Sequence, residues 1–243
     1  MNRRFLCPDL PAAGQSVTLS EPESYHLRTI LRLRQEEEIT LLDGRGSCAR
    51  AIAKPTGSRH QPVTCSIIEV TQHEPPAVRL VLAVAPPRGK AMGRIVRQAT
   101  ELGVAEIRPV QTAFGVSRPD AGATDHWRTD AGEAIKQSGN PFLPHLAEIA
   151  EFADAVAEMS APAYVGWAPG DTDGPAVPPP IDRRTVEAAG QLWLWIGPEG
   201  GFNDDELETL KARQAQPLAI GRWILRVETA VVAALAWIVN QHL

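Results

Sequence analysis

Residues 78 to 85 read VRLVLAVA and residues 192 to 197 read LWLWIG. A strand with one face in water alternates apolar and polar residues, so runs this continuous must be covered on both faces. In a globular chain that means a parallel sheet flanked by helices. The segments around these runs fit. AMGRIVRQATELG sets Met92, Ile95, Val96, Ala99 and Leu102 on one helical face and stops at Gly103. IRPVQT, SAPAYVGWA and PLAIG read as further strands, and HWRTDAGEAIKQSG and ETAVVAALAWIVNQ as helices. Asn203 with Glu206 has the spacing of a reciprocal helix cap. Strand and helix alternate without an internal repeat, which predicts an α/β fold with a mostly parallel sheet. The last helix is apolar nearly all round and must be buried on more than one side.

The first 70 residues have a different rhythm. Ser20-Glu21-Pro22-Glu23 has capping-box spacing and opens a helix through Leu27, Ile30 and Leu31. ITLLDG, CARAIAK and VTCSIIEV are short strand-like runs, with Asp43-Gly44 as a turn. Several short strands and one helix predict a small β-barrel or meander. Gln72-His73-Glu74-Pro75-Pro76 is polar and proline-rich and marks the boundary, so domains are expected at 1–73 and 74–243.

Composition removes several function classes. Cys7, Cys48 and Cys65 are odd in number and widely spaced, which is neither a disulfide framework nor a zinc pattern and fits a reducing cytoplasm. The histidines show no paired ligand spacing, so no metal is expected. No apolar run approaches the ~20 residues of a membrane span, and MNRRFLCPDLP does not read as a signal peptide. The net charge of −5 argues against a nucleic-acid partner, but the charge is segregated. Residues 85 to 108 carry five basic against two acidic groups, whereas 109 to 184 carry five against eleven. Segregation of this kind can leave one basic face, although on charge alone solvated helix faces account for it.

Residues 193 to 208, WLWIGPEGGFNDDELE, pass from an apolar run through a Gly-Pro-Glu-Gly-Gly turn to an acidic helix start. Backbone N–H groups at such a place attract anions. Yet this turn has neither the lysine of GxxxxGK[ST] nor the GxGxxG that follows a first strand. Asp204, Asp205 and Glu206 already complement the helix dipole and would repel phosphate. A neutral or cationic ligand with a flat ring would suit it, as would a plain strand-to-helix connection. LAIGRWILRVETA repeats the design, with Gly221 after a strand and Arg226 and Glu228 within an apolar segment. Charges there need a partner or a function, and a local ion pair between the two would serve.

With HLRTILRLR, LLDGRG, RQATELGVAEIRP and KQSG, these two late motifs resemble, in order and over essentially the whole chain, the ribosomal RNA small subunit methyltransferase E family (RsmE). That family belongs to the SPOUT class of methyltransferases. The resemblance implies a PUA-like N-terminal β-barrel that helps hold RNA, and a C-terminal α/β domain with a trefoil knot. It implies S-adenosylmethionine bound in the knot, a homodimer, and methylation of N3 of a uridine in small-subunit ribosomal RNA. Carried onto this chain, the cofactor loops are Ile196, Gly197, Pro198, Glu199, Gly200 and Gly201, then Ile220 and Gly221, then Ile224, Leu225 and Arg226. Gly166, at the end of YVG, starts the first loop. Three places depart from the family pattern: Asn140 where an arginine usually follows QSG, Gln35 to Glu38 after LRLR, and Ala113-Phe114-Gly115 where an arginine is common.

Uridine N3 holds a weakly acidic proton, so the site must align N3 with the methyl donor and stabilise the developing uracil anion. Arg226 is the candidate stabiliser, Glu228 the group to orient it, and Glu199 a candidate base. Arg28, Arg32, Arg34, Lys90 and Arg97 are candidate phosphate contacts with ribosomal RNA or the small ribosomal subunit. Two alternatives stay open from sequence: a SPOUT enzyme acting on another RNA, transfer RNA included, and a non-catalytic RNA-binding protein of the same fold.

Overall fold

The computed structural model describes residues 3–55, 61–120, 122–160, 162–167 and 180–242. Most of the loop expected at 169–182 lies outside the described residues. The chain divides into two compact units, Met1–Pro75 with Gly132–Leu143, and Pro76–Ala131 with Pro144–Leu243.

In the first unit the elements are β1 (Arg4–Leu6), β2 (Ser16–Thr18), α1 (Glu21–Tyr25), a π-type turn over His26–Ile30, β3 (Glu37–Leu42), β4 (Ser47–Ala53) and β5 (Thr64–Gln72). They build a mixed five-stranded sheet in the order β1-β3-β4-β5-β2. Only β1 and β3 run parallel, and a register shift bends β4 between Arg50 and Ala51. Period-two alternation sets one face inward. Ala49, Ala51 and Ala53 join Phe5, Leu27, Ile39 and Leu41 in the core, while Arg50 points out to Glu38 and Glu69. Ser20 does take the cap position of α1, but it makes no side-chain cap bond. The reciprocal half of the expected box is lost because Glu23 is buried, and its carboxylate pairs with Lys136 Nζ at 2.8 Å. A buried carboxylate gains more from an ammonium than from one backbone N–H.

The remaining elements are β6 (Arg79–Val84), α2 (Ala91–Glu101), β7 (Glu106–Gln111), α3 (Ala123–Ser138), β8 (His145–Leu146), β9 (Ala150–Glu151), α4 (Phe152–Glu158), β10 (Ala163–Trp167), α5 (Arg183–Ala189), β11 (Gln191–Ile196), α6 (Asp204–Ala212), β12 (Gln216–Ala219) and α7 (Val227–His242), all in the second unit except α3 from Gly132 onward, which belongs to the first. The sheet order is β12-β10-β11-β6-β7-β8, with β9 also paired to β7. Every one of these pairs is parallel. Both faces are covered, as the unbroken apolar runs require. Leu80, Leu82, Val84, Leu192, Leu194 and Ile196 face a core shared with α2 and α7. Val81, Ala83, Trp193 and Trp195 face a second core with α4 and Leu210. Arg79, the one charge in VRLVLAVA, sits at the strand start and pairs with the buried Glu106, which also accepts from Arg108. On α7, Val231, Ala234, Leu235 and Ile238 are buried and Val232, Ala233, Trp237 and Val239 half-buried. Among the described residues, no helix is long and apolar enough to cross a membrane, and no cluster of His, Cys, Asp or Glu could hold a metal.

Candidate functional site

Because the strands of the second sheet are parallel, their carboxyl ends lie along one edge, where loops converge in folds of this kind. The order β12-β10-β11 makes neighbours of three strands that the sequence separates. Gly166 stands beside Leu218 and Trp167 beside Ala219, while Val165 stands beside Trp195. The segments after β11 and β12, and the end of β10 at Gly166 and Trp167, therefore share one edge. All the sequence-predicted cofactor positions fall on these three segments.

Close packing accounts for Gly166 and Gly200, whereas Gly201 and Gly221 take a left-handed backbone, φ 74° and 84°. A Cβ on Gly166 would lie 2.5 Å from Ile196 Cδ1, so a side chain there would require the Ile196 side chain to move. A Cβ on Gly200 would lie 3.2 Å from Phe114 Cβ. The turn closes by a bond from Gly201 N–H to the Pro198 carbonyl at 2.9 Å. It is tied to β6 by Ala85 N–H donating to the Ile196 carbonyl at 3.0 Å. Glu199 is exposed, and its carboxylate accepts from Arg88 N–H at a long 3.4 Å.

The acids after the turn divide in role. Asp204 and Asp205 are exposed and Glu206 is buried. Asn203 Oδ1 accepts from Glu206 N–H at 2.8 Å and Glu206 Oε2 accepts from Asn203 N–H at 2.9 Å, which is the predicted reciprocal cap. Glu206 Oε1 is also used. It accepts from Ala113 N–H at 2.8 Å, joining the loop after β7 to the start of α6. Nothing in the sequence spacing signals that contact.

The third segment is open to solvent. Trp223 is 77% and Ile224 75% exposed, Gly221 and Arg226 are exposed, and Ile220 and Leu225 are half-buried. The local pair considered for Arg226 and Glu228 is not formed. Glu228, in the first turn of α7, faces Arg94 of α2 at 3.5 Å. At the helix start the Arg226 carbonyl accepts from Ala230 N–H, and its side chain is turned outward.

Among the candidate phosphate contacts, Arg32, Arg34 and Lys90 are exposed. Arg28 is drawn inward. Its side chain is only 9% exposed and binds Glu21 and the Gln61 carbonyl. Arg97 is 57% exposed and gives both Nε and Nη2 to Asp130, at 3.0 and 2.6 Å. In LRLR the partly buried Leu31 and Leu33 pack on the core of the first unit and the two arginines point away. Arg32 does so from a left-handed backbone, φ 58°.

With this geometry in view, comparison with known proteins is specific. Residues 73–239 match the RNA methyltransferase domain family. Ribosomal RNA small subunit methyltransferase E of Synechocystis sp. is 30% identical over 224 residues, covering 92% of this chain and 72% of that protein. The protein of the same name from Aquifex aeolicus is 27% identical over 237 residues, covering 93% and 95%. The crystal structure of a ribosomal RNA small subunit methyltransferase E from Neisseria gonorrhoeae, bound to S-adenosylmethionine, is 26% identical and covers 100% of this chain and 98% of its own. It superposes with a TM-score of 0.83.

Proposed function

Since the chain belongs to the RNA methyltransferase domain family, and within it to the ribosomal RNA small subunit methyltransferase E family, we propose that it methylates N3 of a uridine in small-subunit ribosomal RNA, using S-adenosylmethionine. The observation that carries this reading is the convergence of the Gly166, Gly197–Gly201 and Ile220–Arg226 segments at one sheet edge. The relatives supply the class of RNA, and the Neisseria protein binds S-adenosylmethionine.

The residues present fit that ligand. At Gly166 and Gly200 a side chain would intrude on its neighbours, so the edge offers bare backbone to a flat adenine ring. No lysine stands in the turn to select a phosphate, and the exposed Asp204 and Asp205 favour a positive charge nearby. Bound S-adenosylmethionine supplies a methyl group on a sulfonium, electrophilic enough to need no further activation.

The protein's own groups have the remaining work. The turn at Gly197–Gly201 and the Ile220–Arg226 segment hold the donor in place. Arg226, with an outward guanidinium, stabilises the negative charge that develops on the uracil as the N3 proton leaves. Glu228 acts through Arg94, holding α2 against α7, rather than by orienting Arg226. Glu199 is the candidate to accept the proton. In the first unit Arg32 and Arg34 bind RNA phosphates, and in the second Lys90 does.

The same reading makes residues 1–73 a PUA-like RNA-binding domain and residues 74–243 a SPOUT domain with a trefoil knot. The pairing of β12 with β10, across from the β11 that precedes it, is the kind of crossover a knot needs. It also makes the protein a homodimer, supported by the half-buried apolar residues along α7. The reading is tested by incubating undermethylated small ribosomal subunits with the protein and S-adenosylmethionine and mapping the product by mass spectrometry. A single N3-methyluridine is expected. Modification of transfer RNA alone, or none despite bound donor, would refute it. Light scattering is expected to give twice the chain mass, and a monomer at micromolar concentration would refute the dimer.

A further inference from the structure

The loop after β7 leaves the same sheet edge as the three segments above, two strands from β11. It carries Phe114, whose side chain the fold leaves 51% exposed. The exposure is built in. Ala113 N–H is held by Glu206, Gly115 N–H donates to the Thr112 carbonyl at 3.0 Å, and Arg118 Nη1 donates to the Gly115 carbonyl at 2.8 Å. Backbone on both sides of Phe114 is thus tied down, which sets where its Cβ stands. Its Cβ also lies against the backbone of Gly200, at the distance where a methyl group would be crowded. An exposed aromatic side chain is therefore anchored at its Cβ on the rim of the turn assigned to the methyl donor.

We propose that Phe114 is the stacking face for a base of the RNA substrate at the methyl-transfer site. The inference rests on the cofactor reading of Gly197–Gly201 and adds the residue that orients the acceptor. Single-stranded RNA is recognised by splaying out bases and stacking them on aromatic side chains, which needs a π face and no charge. Transfer to a ring nitrogen also requires the base plane to be held at a set angle to the donor, and stacking on a ring anchored beside the donor does that. Phenylalanine has only two side-chain torsions, so ordering it on binding costs little entropy.

The test uses Phe114→Ala, Phe114→Leu and Phe114→Trp in the full chain, with undermethylated small ribosomal subunits as the probe. S-adenosylmethionine affinity by calorimetry and mass by light scattering are measured beside the methylation rate. Phe114→Ala should lose on the order of 10-fold or more in kcat/KM for RNA, the scale of one lost base stack, with donor affinity and mass unchanged. Phe114→Trp should keep the activity and Phe114→Leu should resemble the alanine variant. Full activity in Phe114→Leu would overturn stacking, because apolar bulk would then suffice. A deficit that accompanies dissociation to monomers would assign the ring to a second copy of the chain instead. If the unaltered protein binds no S-adenosylmethionine, the cofactor reading itself fails and the inference falls with it.

Discussion

Glu206 Oε1 accepts a hydrogen bond from Ala113 N–H at 2.8 Å, across 93 positions of the chain. Its other oxygen holds the N-cap of α6. One buried carboxylate therefore joins the loop after β7 to the helix that follows the glycine turn. Glu206→Ala should cost about 2 kcal/mol of stability, because a helix cap and a charge-assisted bond are lost together. Glu206→Gln should recover only part of it, since an amide that accepts at one end presents N–H to N–H at the other. Urea unfolding of both variants checks this, and equal midpoints for all three proteins would refute it.

Gly200 lies against Phe114 on one side and, in the proposed reading, the methyl donor on the other. Gly200→Val places a branched side chain where a Cβ alone would already stand 3.2 Å from Phe114 Cβ. Overpacking of this size should weaken S-adenosylmethionine binding by roughly 10-fold. The position is exposed, so the thermal midpoint should move little. Calorimetric titration reads the first effect and a melt the second.

Arg226→Ala should fold and melt like the unaltered protein, because the side chain is exposed and Glu228 keeps Arg94. It should still bind S-adenosylmethionine. Turnover should drop on the order of 100-fold, the scale of a lost electrostatic stabiliser. A single-turnover assay decides, and near-normal rates would end the catalytic role.

Arg32 combines an exposed charge with a left-handed backbone, φ 58°, which a glycine adopts without the cost of about 1 kcal/mol that a side chain carries. Arg32→Gly should therefore be at least as stable as the native protein in urea. It should bind RNA several-fold more weakly, with a salt slope smaller by about one. Unchanged RNA affinity would remove Arg32 from the interface.

His242 sets a pH dependence. Burial, and then the charge of Arg183, push its imidazole below the ordinary value of 6.5. Tyr164 Oη accepts from Ile181 N–H at 2.7 Å, which leaves its proton for His242 Nε2, 3.1 Å away. A group whose folded value is depressed contributes stability that is present above its unfolded value and lost as pH falls. Unfolding free energy should thus decline below about pH 6.5, and His242→Gln should flatten that slope. Urea titrations at a series of pH values test both.

What the sequence determined by itself is what short-range physics controls. The unbroken runs at 78–85 and 192–197 are strands covered on both faces, because no alternation was available to leave one face wet. The Asn203–Glu206 cap forms because its partners are three residues apart. The tertiary structure decided what those elements meet. Strand order brought Gly166, the glycine turn and the Ile220–Arg226 segment to one edge, and no local period encodes strand order. It gave Glu228 to Arg94 and Arg97 to Asp130, and drew the Arg28 side chain inward to Glu21 and the Gln61 carbonyl. It also set Phe114 against Gly200. Charge type and spacing along a chain say that a partner is needed, but which one is found depends on packing between elements far apart in sequence, where many pairings satisfy the same local pattern.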